Sequence, residues 1–73
     1  MRDVKRIETL MSRLGKLWKE YCPDVRFGQL MFDFSHWHQH VHKADLFFVD
    51  DDIFATRFEE YLIASCGKPV RET

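Results

Sequence analysis

A chain of 73 residues supplies one small hydrophobic core, so one small domain is expected. With 45% hydrophobic, 15% aromatic and 32% charged residues, the composition excludes intrinsic disorder and points to a globular domain. The net charge of −1 identifies no partner by itself. No apolar run approaches the length of a membrane span, and no stretch reads as a signal peptide. A cytoplasmic protein with reduced thiols is therefore expected, because Cys22 and Cys66 lie far apart and form no C-x-x-C pair.

The first predicted element is an amphipathic helix. Val4, Ile7, Met11, Leu14, Trp18 and Tyr21 recur at spacings of three and four, and Leu10 and Leu17 widen the stripe. Asp3 is the expected N-cap. Cys22-Pro23 ends the helix, because the residue before proline avoids the helical region. A second helix is expected within "PDVRFGQLMFDF", capped by Asp24, with Phe27, Leu30, Met31 and Phe34 on its apolar face. Gly28 falls inside it at a cost of about 1 kcal/mol relative to alanine, and close packing under Trp18 is the expected compensation. The periodic pattern then dissolves after Phe34.

An irregular connection follows, long for a helix-to-helix link. Within it, Leu46 to Val49 is too short for a helix and reads as a strand-like stretch or a buried loop. Asp50 is the N-cap of a third helix, with Asp51 and Asp52 in the first turn, where the helix dipole favours negative charge. Phe54, Phe58, Tyr61, Leu62 and Ser65 mark one face of that helix, with Ile53 alongside. Gly67 is its C-cap and Pro69 its stop. The expected fold is thus a mainly α, three-helix domain over residues 1–67, with an irregular or short extended connection before the last helix and a flexible tail at 68–73.

Charge is unevenly distributed. Arg2, Lys5, Arg6, Arg13, Lys16 and Lys19 dominate the first 21 residues, whereas Asp45, Asp50, Asp51, Asp52, Glu59 and Glu60 dominate residues 44–60. A basic end and an acidic end can steer association with a charged protein partner, although two ordinary solvated faces would read the same way. Direct, specific nucleic-acid binding is not expected, because the third helix, the usual reader in a helix-turn-helix, is acidic.

Between the second helix and the acidic segment lies "SHWHQHVHK", with His36, His38, His40 and His42 at every second position. In an extended chain all four imidazoles would share a face; in a helix His36 pairs with His40 and His38 with His42, the two pairs nearly opposed. Either arrangement offers ligands to zinc, copper or nickel, which makes a histidine-rich metal protein the alternative reading. No cysteine or carboxylate completes a known zinc signature, so no cofactor is expected. Trp37, within this connection, is the best candidate for a partner contact, with lidding of the core as its bland alternative.

No catalytic constellation is present in the sequence. Asp50, Asp51 and Asp52 lack the D-x-D-x-D-G spacing of a calcium loop. There is no Ser-His-Asp or Cys-His motif, and Cys66 near a helix C-terminus is not activated as a thiolate. An enzyme is not expected.

The strings "PDVRFGQLMFDF" and "DLFFVDDDIFATRFEEYL" resemble a group of small uncharacterised bacterial and phage proteins. These share a helix ending in W-x-x-x-P-D, a GQL helix and a D-x-F-Y-[IV]-E/D-D-D segment opening the last helix. Gly28, Gln29 and Leu30 match the second element, and Asp45 with Phe47 to Asp52 matches the third. Trp18 sits one residue further from Pro23 than the pattern has it. Because the corresponding connection is short in that group, the resemblance implies that residues 35–43 are an added or elaborated loop. In size and kind the chain also resembles small phage-encoded proteins that act on their host, among them an inhibitor of bacterial RNA polymerase. That resemblance implies regulation of transcription by binding a host protein, with RNA polymerase the favoured partner. The residues expected to make the contact are Trp37, Asp50, Asp51, Asp52, Glu59, Glu60, Lys5 and Arg6.

Overall fold

A computed structural model describes residues 3–67, in the order α1 (Lys5–Tyr21), α2 (Phe27–His42), one 3-10 turn (Leu46–Phe48) and α3 (Asp51–Cys66). The mainly α, three-helix architecture is as expected, and no strand occurs among the described residues. The predicted tail at 68–73, including Pro69, lies outside them. No helix among them is long and apolar enough to cross a membrane.

Both α1 and α2 pack against α3, which places α3 at the centre of the fold. Arg6 meets Asp51 near the starts of α1 and α3, and Arg13 meets Glu59 further along, so the two helices run parallel. The core is drawn from all three helices at helical spacing: Leu14, Leu17 and Tyr21 from α1, Leu30, Phe34 and His38 from α2, and Ala55, Phe58 and Leu62 from α3. Phe34 is its centre, with ring centroids 5.2–5.6 Å from Phe54, Phe58 and Tyr61.

The caps follow partly from sequence. The Asp3 carboxylate accepts from the Lys5 N–H at 3.0 Å, but Val4, not the expected Asp3, stands at the N-cap of α1. Asp50 is the N-cap of α3 and Gly67 its C-cap, at φ 80°. Asp24, however, does not cap α2. Val25 N–H bonds back to Cys22 C=O, a turn carries the chain on, and Arg26 stands at the N-cap.

Four further expectations need correction. First, α2 does not end near Phe34; it runs to His42, so residues 35–42 are helix and not an added loop. The next core position after Leu30 and Phe34 is His38, whose polarity hides the continuing i, i+4 pattern. The helix ends without a glycine: Lys43 takes the left-handed conformation at φ 57°.

Second, the apolar stripe of α1 is rotated from the predicted one. Val4, Ile7 and Met11 are exposed, while the widening residues Leu10 and Leu17 face the core. Third, Leu46 to Val49 is neither strand-like nor a buried loop. The Asp45 carboxylate accepts from Phe47 N–H at 3.1 Å, Phe48 N–H bonds to Asp45 C=O and Val49 N–H to Leu46 C=O, which closes a tight turn. Leu46 packs inward and both phenylalanines point out.

Fourth, Gly28 is not covered by Trp18. It is exposed, and a Cβ there would meet nothing within 4 Å. Trp18 instead rests against Phe27, 5.6 Å between ring centroids, and donates its indole N–H to Val25 C=O at 3.0 Å. Gly15, in the middle of α1, likewise has open space where its Cβ would lie. Replacing Gly15 by alanine is therefore expected to stabilise the protein by about 0.5–1 kcal/mol, read as a higher urea midpoint at unchanged slope.

Candidate protein-binding surface

The charges that stand apart in sequence meet in the fold. Arg6 of α1 is ion-paired with Asp51 of α3, and Arg13 with Glu59 at 3.4 Å. His42 of α2 contacts Glu60 of α3 at 2.6 Å. Three of the five acidic residues expected to face a partner, together with Arg6, are thus engaged between helices. As exposed pairs each contributes about 0–1 kcal/mol, and their main consequence is to shrink the acidic surface. Asp50 and Asp52 remain exposed on the first turn of α3, and Asp45 is exposed on the adjoining turn. Lys5 is exposed at the start of α1.

Helix formation also divides the histidines. His36 and His40 lie on the exposed side of α2, with the His36 ring against Phe32 at 4.5 Å. His38 and His42 lie on the inner side, their rings 4.9 Å apart. Among the described residues no three His, Cys, Asp or Glu side chains are grouped so as to hold a metal ion.

His38 is fully buried, and both ring nitrogens are committed. Its Nδ1 lies 2.8 Å from Ala44 C=O, and its Nε2 lies 2.8 Å from Arg57 Nη1. A carbonyl can only accept and a guanidinium can only donate. The ring is therefore neutral, with Nδ1–H donating to Ala44 C=O and Nε2 accepting from Arg57. No lone pair is left for a metal, and His38 acts as a strut between the end of α2, the following connection and α3.

Trp37 is half-buried and spends its ring on the core: it lies 6.4 Å from Phe34, 5.6 Å from Tyr61 and 5.6 Å from the His42 ring. Of its two readings, the lid over the core describes its position. The exposed aromatic pair lies elsewhere. Phe47 and Phe48 are 82% and 78% exposed, stacked edge to face at 4.9 Å at the tip of the 3-10 turn. In sequence the pair was masked by its apolar neighbours Leu46 and Val49, which made the whole run read as one buried stretch. The available signal was Asp45, whose side chain can cap a turn two residues on.

The concave surface offers little to a small molecule. One open cleft between α1 and the start of α3 is lined by Asp3, Arg6, Arg13, Asp51 and Asp52, and the Arg6–Asp51 ion pair spans it. An apolar groove between α1 and α2, bordered by Met11, Gly15, Trp18, Phe27 and Met31, has a volume of about 140 Å³, below the several hundred Å³ of a usual ligand site. Compared with family models, with characterised proteins and with solved structures, the chain matches none.

Proposed function

We propose that this protein acts by binding another protein, as a small phage-type regulator that needs neither cofactor nor chemistry, with bacterial RNA polymerase the favoured partner. The observation that carries the binding reading is the Phe47–Phe48 turn. Two adjacent phenylalanines held almost wholly in water by a capped turn forgo burial worth about 1.5–3 kcal/mol each, which a partner pocket would recover. Asp45 caps the turn, and Asp50 and Asp52, both exposed, follow Phe48 within four residues, so the complementary surface is an apolar pocket with a basic rim. The choice of polymerase rests on the likeness of the chain to small phage proteins that act on their host. Binding at such a surface would alter transcription by occupying or distorting a site on the enzyme.

The test is a pull-down from bacterial lysate at low salt, followed by titration of the recovered partner in purified form. Polymerase subunits are expected with the native chain. The double substitution Phe47→Ser and Phe48→Ser is expected to weaken binding by at least about 30-fold, the scale of an interface hot spot, while leaving the helical circular dichroism unchanged. Recovery of no polymerase subunit defeats the choice of partner. Equal binding by the double variant defeats the turn as the contact.

A further inference from the structure

Arg6 pairs with Asp51 across 45 positions and Arg13 with Glu59 across 46, which fixes the parallel register of α1 against α3. Carried to the C-terminal ends of both helices, that register sets Cys66, the last residue of α3, beside Cys22, the residue that closes α1. Cys66 follows Leu62 by one i+4 step on the core-facing side of α3, and Cys22 belongs to the core at the end of α1, so both side chains stand at the same end of the seam between the two helices. Both cysteines are free.

We propose that Cys22 and Cys66 are a dithiol that small-molecule disulfides oxidise to an intramolecular disulfide, locking the end of α3 to the end of α1. The two thiols differ in a way that orders the reaction. Cys66 is exposed and open to attack from solvent, whereas Cys22 is buried. Burial, reinforced by the neighbouring Cys66 sulfur, pushes the Cys22 thiol up to about 11, so Cys66 is the entry point. The Cys66 thiolate attacks one sulfur of oxidised glutathione and releases one glutathione thiolate, leaving a mixed disulfide. Cys22 then loses its proton to solvent and attacks the Cys66 sulfur, which expels the second glutathione thiolate. Two protein thiols are oxidised, one glutathione disulfide is reduced to two thiols, and the released thiolates take up the two protons. The second step is the slower one and accelerates as pH rises, because Cys22 must be deprotonated. Its burial also keeps it from a second chain, so the product is a monomer.

The bond would close a loop of about 45 residues, a large restriction of the unfolded chain. The experiment treats the reduced full-length chain with oxidised glutathione and follows intact mass, titratable thiols and thermal unfolding. The expected product is a monomer two hydrogens lighter than the reduced chain, with no free thiol. Its melting temperature is expected to rise by about 10 °C or more, and dithiothreitol should reverse the shift. Cys66→Ser, at an exposed position, is expected to keep the fold and lose the shift. A stable adduct carrying one glutathione, a Cys66-linked dimer as the end product, or an oxidised monomer melting with the reduced one would overturn the proposal.

Discussion

Replacing Phe34 by alanine is expected to remove about 3–5 kcal/mol of stability, enough to leave a domain of this size largely unfolded near 37 °C. The ring is wholly buried and contacts aromatic groups from two helices: Trp37 and His38 on its own, and Phe54, Phe58 and Tyr61 on α3. Two terms add. Removing the ring forfeits the transfer free energy of the side chain, and the surrounding aromatic groups, each anchored on its own helix, cannot collapse fully into the space. The edge-to-face contact with Phe54, at 5.3 Å and 90°, adds about 0.5–1.5 kcal/mol beyond buried area. Urea unfolding of Phe34→Leu and Phe34→Ala supplies a graded pair: the leucine variant should lose less than half of what the alanine variant loses. If Phe34→Ala costs under about 1 kcal/mol, Phe34 is not the centre of the core.

Replacing His38 has the second largest expected effect, and it separates packing from hydrogen bonding. His38→Ala should cost about 2–4 kcal/mol, combining a cavity with two lost partners. The informative variant is His38→Leu, which keeps the volume approximately. If the ring were merely filler, leucine would be neutral or stabilising. With Ala44 C=O and the Arg57 guanidinium both deprived of their partner, it should instead cost about 1–3 kcal/mol. In a double-mutant cycle, His38→Leu and Arg57→Leu should then be non-additive by about 1 kcal/mol, since the second substitution removes the orphaned donor that the first leaves behind. Full additivity would mean that the His38–Arg57 hydrogen bond carries no net stability.

His38 also shows where sequence reading stops. Continuing Leu30 and Phe34 by one more i+4 step reaches it, yet a histidine registers as polar in any apolar pattern, and the helix was expected to end before it. A buried imidazole is tolerated only when its two nitrogens find an acceptor and a donor. Those groups come from Ala44, six residues on, and from Arg57 of another helix, so only the packed chain reveals that they are present. The same limit hid Phe47 and Phe48. Both are apolar and sit in an apolar run, but a three-residue turn set by Asp45 faces Leu46 inward and the pair outward. Charge misled for a related reason. Separate basic and acidic segments suggest charges facing outward, while the parallel packing of α1 and α3 joins Arg6 to Asp51 and Arg13 to Glu59.

By itself the sequence determined three helices, the end of α1, both ends of α3 and most of the aromatic core, because capping, proline restriction and 3.6-residue periodicity act within a few positions along the chain. Only the tertiary structure decided which face of α1 is buried, how far α2 extends, where the four imidazoles point and which aromatic groups stay in water. It also decided that the alternating histidines become two opposed pairs and that Cys22 and Cys66 come to the same end of the α1–α3 pair. Each of these depends on the register and direction of one helix against another, which distant residues settle jointly and no local window contains.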